Sequence, residues 1–200
     1  MSMIRSTCVY CGSSPGRSPS YIAAARSLGA QLGQAGINLV YGGGTRGIMG
    51  AVSDAVLAAG GKVTGIIPQF LIDMEATERE LQRLDELIVT ADMHERKHLM
   101  FERSDAFIAL PGGIGTLEEL VEIMTWSQLG RHQKPVVIAN IDGFWDPLAR
   151  LFEHMAEEGF LHSAERLKPL VIDSVDDIVP ALLRHGATNA DGRDEIIERL

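Results

Sequence analysis

The chain has 200 residues, 46% of them hydrophobic and 22% charged, with a formal net charge of −9. That length and balance suit one globular domain with a sizeable core. The acidic excess argues against binding polymeric nucleic acid, which needs a broad basic face, yet leaves room for a local cationic pocket that takes one phosphorylated molecule. The opening residues, MSMIRSTCVYCGSS, lack the apolar core of a signal peptide, and no apolar run is long enough to span a bilayer. A cytoplasmic protein without a membrane partner is therefore expected.

Seven short apolar runs recur along the chain: CVY, INLVY, KVTGIIP, ELIVT, AFIALP, PVVIANI and PLVID. Each is strand-length, rich in Val and Ile, and bounded by Gly, Pro or Asp. Most show little alternation, as in strands buried on both faces of a parallel sheet. The first run carries Cys8 and Cys11 as C-x-x-C, but residues three apart on a strand face opposite sides and no second pair exists for zinc. Both read as reduced packing residues.

Helical segments lie between the runs. SYIAAARSLGAQLGQAG comes first, with Ile22, Ala25, Leu28 and Leu32 on one stripe and Gly36 as a stop. GIMGAVSDAVLAAGG, LEELVEIMTWSQLG and FWDPLARLFEHMAEEG follow later strands. The spacing predicts an α/β fold: a Rossmann-like, doubly wound, mostly parallel sheet of about seven strands flanked by helices. One domain is expected over 1–185, with a polar C-terminal tail at 186–200. Ligands of such sheets bind beyond the carboxyl ends of the strands.

Three loops at that edge are rich in Gly and Ser: CGSSPGRSPS, YGGGTRGIMG and LPGGIGTLEE. The second holds G-x-G-x-x-G as Gly42, Gly44 and Gly47. However, it lies in the second strand-helix unit, and the next strand ends GIIPQF without the acid a dinucleotide site wants, so no NAD is expected. What remains is close backbone approach to an anion beside a helix N-terminus. In the third loop Thr116 and Glu119 spell T-x-x-E, a capping box in its structural reading. Leu117, Leu120, Val121 and Met124 are expected to form that helix's buried stripe, leaving Glu119 on the first turn and able to face the cleft.

Residues 93–100, MHERKHLM, contain H-E-x-x-H at His94, Glu95 and His98, the zinc-protease pattern. At about 100° per residue, Met93, Leu99, Met100 and Phe101 mark the apolar side, with Arg96 and Lys97 within roughly 60° of its centre. His94, Glu95, His98 and Glu102 fall on the solvated side. No metal site is expected, and the two cations point inward, where they must be paired or used. If the flanking strands ELIVT and AFIALP are neighbours, Arg96, Lys97 and Glu119 converge on one cleft.

Together GGGTRGIMG, M-x-x-R-K at Met93, Arg96 and Lys97, and P-G-G-x-G-T-x-x-E at Pro111 to Glu119 resemble the LOG ("lonely guy") family of cytokinin riboside 5′-monophosphate phosphoribohydrolases. The resemblance covers about residues 6–183. It implies a homodimer that hydrolyses the N-glycosidic bond of a nucleoside 5′-monophosphate, such as a cytokinin nucleotide or AMP, without a cofactor. It further implies Arg96 and Glu119 as the catalytic pair and Gly113, Ile114, Gly115 and Thr116 as the phosphate loop. Ser14, Gly43, Glu75, Met93, Lys97, Leu117, Glu118 and Thr125 complete the implied substrate contacts. Relatives labelled lysine decarboxylases find no support here, since no lysine stands out as a pyridoxal phosphate anchor. The alternative is a non-catalytic carrier of a phosphorylated pterin, like the molybdenum-cofactor carriers, which resemble this fold and its Gly-rich loops.

Overall fold

The computed structural model describes residues 4–161 and 169–185, apart from the side chains of Asp73, Glu75 and Glu78. The tail expected at 186–200 lies outside the described residues. All seven expected strands form: β1 (Ser6–Tyr10), β2 (Asn38–Tyr41), β3 (Val63–Pro68), β4 (Glu86–Thr90), β5 (Ala106–Ala109), β6 (Val136–Ala139) and β7 (Leu170–Ile172). They build one sheet in the order β4-β3-β2-β1-β5-β6-β7, and every pairing is parallel.

The helices are α1 (Pro19–Gln34), α2 (Gly47–Ala58), the short α3 (Ile72–Glu75) and α4 (Glu78–Leu81), α5 (Met93–Glu102), α6 (Ile114–Gln128) and α7 (Asp146–Glu157), followed by helical residues 178–185. Local chemistry sets the ends of α1. Ser18 caps it by accepting from Ser20 N, Pro19 supplies the fixed φ of a first turn, and Gly36 takes φ +66° just beyond.

Two cores follow from the winding. One packs α1, α2 and residues 178–182 on one face of the sheet through Leu28, Leu32, Val52, Val56, Ile178 and Leu182. The other packs α5, α6 and α7 on the opposite face through Met100, Phe107, Leu120, Ile123 and Leu148. Cys11 belongs to the first and Cys8 to the second, so the C-x-x-C residues do face opposite sides. Both thiols are free and buried, and burial pushes both up, with the negative charge of Glu119 adding to the effect.

Two strands depart from the unbroken burial expected of them. In β4, Leu87 and Val89 are exposed while their neighbours are covered, and Val171 of β7 is exposed. These are the two edge strands, where the sheet has lost one covering layer. Because β4 is an edge, β4 and β5 are separated by β3, β2 and β1, and the condition set for convergence of their helices is not met. The helices meet all the same, because the chain leaving β4 carries α5 back across the sheet face, packed on β3, before entering β5.

Candidate active site

The chain reverses its winding between β1 and β5. The helix after β1 covers one face and the helix after β5 the other, which opens a crevice at their carboxyl ends. The two loops touch there, Gly12 N donating to Pro111 O at 3.1 Å.

Helix α5 delivers Arg96 to this crevice. Asp92 caps the helix by accepting from Glu95 N at 2.9 Å, and Glu95 reaches back past the cap to accept from Ala91 N at 2.8 Å. Glu95 of H-E-x-x-H is thus occupied with the backbone. His94 and His98 lie on the exposed side, where His98 pairs with Glu102 at 3.4 Å. Among the described residues, no group of three or more His, Cys, Asp or Glu is placed to hold a metal ion.

On the opposite side Arg96 is 4% exposed. A buried guanidinium is costly unless its donors are met, and here the sheet edge meets them. Nε donates to Ile66 O of β3 at 3.2 Å and Nη2 to Gly42 O beyond β2 at 3.2 Å. Nη1 faces Met93 Sδ at 3.7 Å and Glu119 Oε1 at 3.8 Å. The last distance is within ion-pair reach but too long for a hydrogen bond.

Glu119 comes from α6, and here the capping expectation fails. Helix α6 begins at Ile114 with Gly113 as its cap, so Thr116 sits inside the first turn rather than before it. Thr116 is buried against Gly112, where a Cβ would lie 2.1 Å from Thr116 Oγ1. The buried stripe is Thr116, Glu119, Leu120, Ile123 and Met124, whereas Val121 is exposed and Leu117 half-buried. Apolarity alone misplaced the stripe because Arg96 across the crevice allows a carboxylate on the inner face. Glu119 is 6% exposed, on the second turn. Beneath it, burial pushes the Tyr10 hydroxyl well up, and the charges of Cys8 and Glu119 add to this.

Lys97 is also turned inward, its side chain 13% exposed, with Nζ 2.6 Å from Glu118 Oε1 and 3.1 Å from Glu122 Oε1. Burial pulls its pKa down, but the hydrogen bonds that Nζ donates to the two carboxylates outweigh this and the net shift is upward. Lys97 is therefore a fixed cation. Glu122, one turn beyond Glu118, was missed in the sequence; its spacing of four was the available signal.

The remaining expected residues divide by location. Ile114 is 81% exposed at the start of α6, and Gly113 and Gly115 beside it have open space where a Cβ would stand. Among the described residues, no packing requires glycine at either position. Ser14 is exposed on the loop after β1, and Gly43 is buried in a left-handed turn at φ +77°. Thr125 is exposed two turns along α6 from Glu119, its hydroxyl donating to Val121 O at 2.7 Å. Glu75 ends α3 after β3, and its side chain lies outside those described.

A doubly wound sheet with a buried Arg–Glu pair at its switch point, beside an open helix N-terminus, defines a Rossmann-like small-molecule site suited to an anionic ligand. Residues 49–182 match the family described as "Possible lysine decarboxylase". The cytokinin riboside 5′-monophosphate phosphoribohydrolase LOG of Oryza sativa subsp. japonica is 49% identical over 173 residues, 86% of this chain and 69% of the relative. LOG3 of Arabidopsis thaliana, of the same description, is 50% identical over 165 residues, 82% of this chain and 75% of the relative. This chain belongs to the LOG family. Among solved structures, the molybdenum cofactor carrier protein of Chlamydomonas reinhardtii superposes with a TM-score of 0.67 at 22% identity, over 92% of this chain and 98% of that one. At that identity the likeness speaks for the fold alone.

Proposed function

We propose that this chain hydrolyses the N-glycosidic bond of cytokinin riboside 5′-monophosphates, and of AMP, releasing the free base and ribose 5-phosphate. The observation that carries this reading is the buried Arg96–Glu119 pair, 3.8 Å apart, at the crevice where α6 presents its open N-terminus. Relatives of that description at 49% and 50% identity support it.

Cleavage of the glycosidic bond builds positive charge on the sugar, which the Glu119 carboxylate stabilises while it orients the attacking water. The proton that water gives up passes to Glu119 and from there, through solvent, to the departing base. Arg96 keeps its protons and positions substrate and Glu119. The phosphate rests on amides of Gly113, Ile114, Gly115 and Thr116, where the α6 dipole favours an anion. That remote grip helps place the sugar. Ser14, Gly43, Glu75, Met93, Lys97, Leu117, Glu118 and Thr125 complete the proposed contacts, Lys97 and Glu118 as one ion-paired unit. Water is the only co-reactant, so the reaction needs no cofactor.

The same reading takes residues 1–185 as one domain of a cytoplasmic homodimer. Exposed Ile114 and Val121 on α6 and Leu129 at its C-terminal cap support a second copy as partner. No helix among the described residues is long and apolar enough to cross a membrane.

The test is release of base from AMP and isopentenyladenosine 5′-monophosphate, with the matching nucleosides as controls. Turnover of the monophosphates only is expected. Absence of release from either nucleotide returns the pterin carrier to first place, and equal turnover of the nucleosides removes the phosphate loop from the reading.

A further inference from the structure

Arg96 depends on a residue that has no side chain. Gly42, the first residue after β2, accepts from Arg96 Nη2 through its carbonyl. A Cβ built on Gly42 would stand 2.0 Å from that same Nη2, 3.2 Å from Cζ and 3.7 Å from Nε, and these are its three nearest neighbours. Gly42 is not among the glycines with positive φ, so its backbone conformation is open to alanine. The obstacle is therefore the guanidinium. Gly43 beside it differs, being held at φ +77°. Gly113 differs again, since a Cβ there meets nothing within 4 Å.

The guanidinium is also held on its other sides, by one hydrogen bond and two longer contacts. Nε is tied to Ile66 O at 3.2 Å, and Nη1 lies between Met93 Sδ and Glu119 Oε1. A methyl at position 42 moves Nη2 away from the Gly42 carbonyl, and a rigid planar group then breaks the Nε bond or shifts Nη1 relative to Glu119.

We propose that Gly42 is a positioning residue for the hydrolysis: the absence of its side chain, together with its carbonyl, fixes where the Arg96 guanidinium stands relative to Glu119. This rests on the reading of Arg96 and Glu119 as the reacting pair, and it gives the first glycine of the GGG run a purpose separate from ligand binding.

The experiment is a double-mutant cycle, read by kcat/KM for AMP and by the thermal unfolding midpoint. Gly42→Ala lowers kcat/KM by about 100-fold, the scale of a displacement of about 1 Å in an active site. It also lowers the midpoint while Arg96 is present. In an Arg96→Lys background, where the slimmer ammonium fits beside the methyl, adding Gly42→Ala changes kcat/KM by no more than about twofold. In an Arg96→Ala background, adding Gly42→Ala no longer lowers the midpoint and raises it slightly, as alanine does at a backbone position open to it. If Gly42→Ala alone fails to fold, recovery of folding in Gly42→Ala/Arg96→Ala supports the proposal, and failure of both overturns it. Additive losses in both backgrounds overturn it too, since Gly42 would then act on the ligand or the loop directly. A fully active Arg96→Ala enzyme removes instead the reading of Arg96 as a reacting residue.

Discussion

Gly113→Ala separates ligand binding from folding at one position. Gly113 caps α6 with extended backbone (φ −91°, ψ −158°) that alanine adopts freely, and a Cβ there meets nothing within 4 Å. Glycine and alanine differ at a helix cap by less than about 1 kcal/mol, so the urea midpoint moves little. A phosphate drawn onto the α6 amides does meet the new methyl. Displacing one charge-assisted hydrogen bond costs about 1.5–3 kcal/mol. That is a loss of about 10- to 150-fold in affinity. Calorimetry with ribose 5-phosphate reads the loss directly, and adenine, which has no phosphate, serves as the control ligand. Weakened ribose 5-phosphate with unchanged adenine is expected. Unchanged ribose 5-phosphate binding, or equal weakening of both ligands, refutes the placement of the phosphate at this loop.

Glu119→Gln keeps the shape of the site and lowers kcat by about 10²- to 10⁴-fold, the usual worth of a positioned acid or base, measured as adenine release from AMP. Arg96→Ala does the same and destabilises the fold by about 3–5 kcal/mol in urea unfolding, because it strips a donor from Gly42 O and Ile66 O and breaks a buried pair. His94→Ala and His98→Ala, both on the exposed side of α5, leave turnover unchanged, as does a chelator; loss in either experiment restores the metal reading. His132 gives acid sensitivity. Its Nδ1 accepts from Lys134 N at 3.1 Å and its Nε2 contacts Ile123 O at 2.9 Å, so Nε2 carries the proton. Burial holds its pKa below the ordinary 6.5, outweighing the Ile123 bond. The unfolded chain therefore takes up the proton first. The contribution is complete above about pH 6.5 and is lost as pH falls towards the folded value, so urea midpoints fall from pH 6.5 to 5 with a shallower slope in His132→Gln.

The strands were legible because Val- and Ile-rich runs between Gly and Pro punctuation carry their own signal, and a sheet of buried strands strengthens it. Arg96 was legible for a related reason: on a helix as short as α5, Met93 and Met100 fix the inner side, and Arg96 sits between them. Tertiary context decided what was not legible. Whether Thr116 or Gly113 caps α6 depends on Gly112 and Thr116 packing together, a contact that propensities do not encode. The inward face of Glu119 depends on a cation from another helix. Helices α3 and α4 have four residues each, too few to show a period, and are held by Ala76 and Leu81 packing on Ile67. The edge position of β4 is a matter of strand order, on which ELIVT is silent.

The strand order also dictates when the site can come into being during synthesis. Strand β1 pairs on one side with β2, the next strand in the chain, and on the other with β5, which is synthesised much later. Asp105, at the entry to β5, clasps the start of β1 through Arg5 N at 2.9 Å and Ser6 N at 3.1 Å, across about 100 residues of chain. A contact so distant in sequence closes late. Arg96 emerges before that clasp and Glu119 after it. A nascent chain that ends after α5 therefore carries only one half of the proposed pair, with the β1 edge bare. The proposed pair is complete only once α6 has followed β5, and until β5 covers the β1 edge that edge is open to pairing with a neighbour's strand.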